Sequence, residues 1–175
     1  MQTLTQNKED HAVTNCKAYL NSIVTYYNAY NFLSNVECLG GSNDFQNAVK
    51  RLYSDKPCMT ELINDYCQDE YTGLNELDSD FIIDRVNETP LSLEVKADDW
   101  QSLEDSRDIE PTKGRLLLST GGPAAQIIGD IEGDYMANVE IQFQDWFKPW
   151  ESIRTNSEQF DALQWFVDLF CWYNY

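Results

Sequence analysis

Apolar residues recur at steps of three and four in the first half of the chain and at steps of two in the second, with the change near residue 90. Val13, Cys16, Leu20, Ile23, Val24, Tyr27 and Tyr30 trace one stripe. A helix with 3.6 residues per turn brings such positions to one side. Gly40 and Gly41 end that region. Asn43-x-x-Gln46 resembles a capping box, and the helix it opens uses Phe45, Val49 and Leu52. A third helix follows Pro57, a residue that a first turn tolerates. Met59, Leu62, Ile63 and Tyr66 form its inner side, and Gly73 stops it. Leu74 to Asn87 reads as a fourth helix, although Phe81-Ile82-Ile83 fits a strand as well.

After Pro90 the period is two. Leu91, Leu93 and Val95 alternate with Ser92, Glu94 and Lys96, as in a half-buried strand. Asp98 to Glu110 reads as an acidic loop, Arg115 to Ser119 as a short strand, and Gly121-Gly122-Pro123 as a turn. Ala124 to Ile131 and Tyr135 to Trp146 are expected as strands joined by a three-residue hairpin loop, Glu132-Gly133-Asp134. Val139, Ile141 and Phe143 share one face, and Glu140, Gln142 and Gln144 the other. Pro149 breaks the sheet, and Thr155-x-x-Glu158 is a capping box for a final helix. That helix carries one stripe of Phe160, Leu163, Val167 and Phe170, and a second apolar row of Trp165, Leu169 and Trp172.

The pattern predicts an α+β protein: a helical N-terminal half, then an antiparallel sheet of three to four strands with a C-terminal helix packed on it. Residues 1–89 form the helical region and 90–175 the sheet and last helix, as two parts or as one compact domain.

Charge changes the picture more than size does. The chain has 175 residues, with 12 Lys+Arg against 30 Asp+Glu, a net of −18. Its 8 Phe, 5 Trp and 10 Tyr supply apolar mass that disordered acidic chains lack. Direct binding to nucleic acid is excluded in practice, because phosphate contacts need a basic surface. An anionic membrane repels the chain for the same reason, and no segment approaches the roughly 18 apolar residues of a spanning helix. The first eight residues hold no apolar run, so no signal peptide is expected. Five scattered cysteines without a Cys-x-x-Cys pair fit reduced thiols in a cytoplasm.

The charge is concentrated. Residues 65–110 hold fifteen acids and three bases, a net of −12. If 74–87 is helical, Glu76, Asp80 and Asp84 recur at i, i+4, with Glu88 just beyond. Four residues rise roughly 6 Å, whereas duplex DNA carries one charge per roughly 1.7 Å of axis. Asp78 on the same segment and Asp98, Asp99, Glu104, Asp105 and Asp108 on the loop add a second set. Such carboxylates suit a basic groove that ordinarily holds phosphates. The plain alternative is that acidity only confers solubility.

Candidate chemistry is sparse. His11 is the single histidine and sits in a polar segment. Asp78-Ser79-Asp80 lacks the glycine and terminal glutamate of a calcium loop. Gly121-Gly122-Pro123 is followed by no Gly-Lys-Ser/Thr, and Pro123 removes an N–H donor. No catalytic residues and no cofactor are expected. Trp146, Phe147 and Trp150 cluster after the last strand. Of these, Trp146 and Trp150 are expected to contact a partner, because interfaces are enriched in tryptophan. Burial in the core or a homodimer explains them equally.

Three stretches carry a resemblance: Leu91-Ser92-Leu93-Glu94-Val95-Lys96, Leu116 to Ala124 with its Thr-Gly-Gly-Pro-Ala ending, and Gln142-Phe143-Gln144-Asp145-Trp146-Phe147-Lys148-Pro149-Trp150. They resemble a family of small proteins carried by bacterial phages, plasmids and integrative elements. The likeness covers the C-terminal half. Gln126 departs from it where a basic residue is expected, as does the loop Ala97 to Lys113. The resemblance implies a mobile-element setting, in which small acidic proteins often inhibit host defence. The expected function is therefore inhibition of a nucleic-acid-binding defence complex, a CRISPR effector or a restriction enzyme, by occupying its basic groove. The alternatives are an immunity protein that neutralises a basic toxin enzyme, and a carboxylate- and metal-dependent enzyme.

Overall fold

The computed structural model describes residues 3–37, 79–97, 99–102 and 110–172. The helices expected to open at Asn43 and after Pro57 lie outside these residues, as does the start of the one expected at Leu74. The chain divides into two compact units, Met1–Val24 with Asn87–Tyr175, and Thr25–Val86.

Helix α1 (Thr3–Glu37) is continuous. It buries Ala12, Cys16, Leu20 and Ile23, and further on Ala29 and Leu33. Cys16, Leu20 and Ile23 were expected there. Val13, Val24, Tyr27 and Tyr30 are only half-buried, because the buried line passes through two alanines whose weak hydropathy hides it. Burial pushes the Cys16 thiol up to about 12, so it stays protonated and unreactive at neutral pH.

Phe81-Ile82-Ile83 is helical, within α2 (Asp80–Glu88). Phe81, Ile82 and Val86 are buried, and the N–H groups of Ile82 and Ile83 donate to Ser79 O at 3.1 and 3.3 Å. Asp80 in the first turn and Arg85 in the last oppose the partial charges at the helix ends.

The sheet has six strands rather than three or four: β1 (Ser92–Lys96), β2 (Trp100–Ser102), β3 (Lys113–Ser119), β4 (Ala124–Glu132), β5 (Tyr135–Gln144) and β6 (Glu151–Ser152). Their order is β2-β1-β3-β4-β5-β6, and every pairing is antiparallel. The 98–110 segment is not all loop, since Trp100–Ser102 folds back on β1. Pro149 does not end the sheet, since Glu151–Ser152 returns to the edge of β5. Leu91 precedes β1 and is exposed, not inward. The hairpin closes with two residues rather than three, because Glu132 still pairs with Tyr135. Gly133 supplies the positive φ, +71°, that such turns demand.

One face of the sheet is the core. Leu116, Ile127 and Ile141 lie opposite one another across β3, β4 and β5, and all three are buried. The β4–β5 register shifts between Ile128 and Asp130, opposite Asn138, whose φ is +52°. This bulge inserts one residue and flips the alternation. Met136 therefore joins Val139 and Ile141 inside, although strict alternation would bury Ala137.

Helix α3 (Ser157–Asp168) packs on β5. Its cap is Asn156 rather than Thr155. The Asn156 Oδ1 accepts from Gln159 N at 2.9 Å, and Gln159 Oε1 accepts from Asn156 N at 3.0 Å. Its buried side chains are Ala162, Leu163, Phe166 and Val167, while Phe160 is exposed. Trp172 belongs to the core, not to a second outer row: it is 1 % exposed. Its Nε1 donates to Val167 O at 2.9 Å, and its ring lies against Gly114.

Candidate partner-binding surfaces

Three surfaces on the described residues combine charge or exposed aromatic mass with defined side-chain contacts, and Tyr135 and Phe160 are exposed elsewhere. The first is the sheet face opposite the core. Directly paired residues share a face, so the register places Glu94, Arg115, Ile128 and Glu140 in one row and Trp100, Lys96, Lys113 and Asp130 in the next. Arg115 Nη2 donates to Glu94 Oε2, Ser92 Oγ donates to Glu94 Oε1 at 2.7 Å, and the Arg115 guanidinium lies 4.3 Å from the Trp100 ring centroid. Burial works against ionisation of Glu94, but the hydrogen bonds from Arg115 and Ser92 outweigh it and hold the carboxyl below its usual range. Lys113 Nζ pairs with Asp130 Oδ1 at 2.7 Å. That contact and the Asn138 amide lower the Asp130 carboxyl as well. Two buried atoms on this face, Arg115 Nε and Gln126 Oε1, have no hydrogen-bond partner. Two ion pairs, Arg115–Glu94 and Lys113–Asp130, balance charge on this face, while Lys96 lies by the Trp100 ring and Glu140 accepts from Ser152 and Gln142.

The second surface is the outer side of α2. Asp80, Asp84 and Glu88 are all exposed and follow one another at i, i+4, i+8, each step rising roughly 6 Å. Arg85, on the same helix, lies 5.6 Å from the Phe81 ring centroid. Among the other expected acids, Asp99 is exposed at the β1–β2 connection. Glu76, Asp78, Asp98, Glu104, Asp105 and Asp108 lie outside the described residues. The structure thus places three of the expected carboxylates on one helix face and a fourth beside the sheet.

The third surface is the connection from β5 to β6. Lys148 N donates to Asp145 O at 2.9 Å, which closes a four-residue turn. Gln144 Nε2 donates to Lys148 O at 2.6 Å, and Lys148 Nζ stands 3.7 Å from Asp145 Oδ2. Trp146 is 55 % exposed, and Phe147, beside it, is 98 % exposed. Their ring centroids are 6.0 Å apart. The indole of Trp146 lies on Gly122, in the space a β-carbon there would need. Trp150 is half-buried further along. Phe147 has φ +60°, at the third turn position, where positive φ ordinarily selects glycine or asparagine. Phe147 is not among the residues the sequence pattern marks for a partner contact, although it is the most exposed of the large apolar side chains among the described residues. The exposed tryptophan beside it was the available signal.

Among the described residues no group of three or more His, Cys, Asp or Glu is placed to hold a metal ion. No helix among them is long and apolar enough to cross a membrane. Comparison with protein families, curated proteins and solved structures finds no match to this chain.

Proposed function

We propose that this chain is an acidic binding protein that occupies the cationic groove of a nucleic-acid-binding partner. The observation that carries the reading is the line of exposed carboxylates Asp80, Asp84 and Glu88 on α2, set in a segment that contributes −12 of the net −18. Carboxylates at about 6 Å spacing offer a groove of Lys and Arg side chains repeated acceptors. The field of the whole chain speeds encounter with a cationic partner. The sequence resemblance supplies the setting: a mobile-element protein in a bacterial cytoplasm, directed against a defence complex of the CRISPR-effector or restriction type. Inhibition is by occupancy and needs no catalytic residue of this chain.

The test is affinity capture from lysate of the bacterium that carries the gene, at low and high salt. Its partner experiment is the triple reversal Asp80→Lys, Asp84→Lys, Glu88→Lys. The expected result is a nucleic-acid-binding protein held at low salt, released at high salt and lost with the reversals. Capture that ignores both salt and the reversals would sink the proposal.

A further inference from the structure

We infer that Phe147, buttressed by Trp146, is an aromatic anchor that inserts into an apolar pocket of a protein whose surrounding surface is basic. The inference rests on the binding reading above and names a second, uncharged element of the contact.

Four observations carry it. Phe147 holds φ +60°, a conformation that penalises any residue with a β-carbon. Its ring gains almost no burial in return, being 98 % exposed. The turn beneath it is well built: the Lys148 N–H to Asp145 O bond and the Gln144 amide bond to Lys148 O hold both of its ends. Trp146 seats on Gly122 and flanks the phenyl ring. A rigid turn that spends its left-handed position on a bare phenylalanine therefore aims that ring outward.

The surroundings extend the patch. β1 begins, β3 ends, β4 begins and β5 ends at this end of the sheet. Leu91, 63 % exposed, is tied to the same end by Leu91 N donating to Leu117 O at 2.7 Å. β1 and β5 are three strand spacings apart, roughly 14 Å. This end of the sheet thus presents Leu91 on one side and the Trp146–Phe147 pair on the other, while Lys148 lies against Asp145.

Charge selects the occupant. A second copy brings −18 against −18, and that repulsion opposes self-association through a small patch. An anionic lipid surface is repelled for the same reason. A basic protein is drawn in by the field, and a buried aromatic then slows its dissociation, since hot spots are desolvated aromatics at the centre of a contact.

The experiment places the photocrosslinker p-benzoylphenylalanine at position 147 of the full chain, with the same group at exposed Asp134 at the other end of the sheet as control. Both proteins are irradiated in lysate of the bacterium that carries the gene. The expected product at 147, absent at 134, is a crosslink to one basic protein. Excess wild-type chain competes for it, and the Phe147→Gly chain competes roughly thirtyfold less well or worse, the scale of a central anchor. Phe147→Gly keeps or raises the thermal midpoint, because glycine accepts the turn's geometry, so weak competition is not misfolding. The inference is overturned by equal competition from Phe147→Gly, by a crosslink to a second copy or to lipid, or by no product above control. The two readings separate. If the Asp80, Asp84 and Glu88 reversals abolish the crosslink while Phe147→Gly competes fully, groove occupancy stands and the anchor falls; the reverse pattern keeps the anchor alone.

Discussion

Arg115 is held on three sides: Glu94 receives its terminal nitrogen, Trp100 covers its plane, and β3 supports its stem. Glu94 and Arg115 side chains are each 18 % exposed, so solvent screens the pair only partly. Glu94→Gln removes the charge and leaves a guanidinium half out of water, at a cost of roughly 2 kcal/mol near neutral pH. The pH dependence has a definite sign. The Glu94 carboxyl sits below its usual value of 4.5. Its contribution is therefore complete above that value and disappears as pH falls through the folded-state value. Urea unfolding should show wild type and Glu94→Gln separated at neutral pH and converging as pH falls from 4.5 through the folded-state value. A gap that stays constant into acid would mean the pair does not act through charge. Gly114 makes a different kind of demand. A β-carbon there would overlap Met136 Cε and approach Ile131 Cδ1 and Trp172 Cε3 at 2.9 Å each. Gly114→Ala should lower stability by about 1–3 kcal/mol, read as a lower thermal midpoint.

At the scale of elements, α3 depends on its first turn. Asn156→Ala deletes the acceptor for Gln159 N and leaves that N–H to water, at a cost of about 1 kcal/mol. Thr155→Ala, at the position the sequence pattern favoured, should cost much less. Comparing the two midpoints decides which residue caps. The ambiguity shows what periodicity can and cannot resolve. Thr155-x-x-Glu158 and Asn156-x-x-Gln159 match the same pattern one residue apart, and only backbone geometry chooses. The long elements α1, α3, β3, β4 and β5 were legible because each repeats its period several times. β2 and β6 were not, since strands of three and two residues complete too little of a period. Met136 was missed because the bulge at Asn138 reverses the alternation, and Phe166 because Phe160 offers the same apolar signal one stripe away. Among the candidate site residues, the shared helix face of Asp80, Asp84 and Glu88 is legible through their i, i+4 spacing. The left-handed Phe147 was not, because no glycine or asparagine marks its position.

Over the whole molecule, a net charge of −18 opposes folding and favours a cationic partner, and salt should therefore move the two in opposite directions. Self-repulsion falls as the Debye length shrinks, from roughly 30 Å at about 0.01 M to about 8 Å at physiological ionic strength. The thermal midpoint of the free chain should rise over that interval, while association with a basic partner slows. Reversing Asp80, Asp84 and Glu88 to lysine takes the net charge from −18 to −12. If these carboxylates serve the partner rather than the fold, the variant melts at or above the wild-type temperature at low salt, with a flatter salt response, and still loses its partner. If they serve only the fold, for example by opposing the dipole of α2 at Asp80, the variant melts lower and binds whatever wild type binds. Differential scanning calorimetry and an association-rate measurement on one preparation separate these outcomes. A variant both less stable and undiminished in binding would remove the carboxylate line from any account of function and leave the aromatic turn as the surface to pursue.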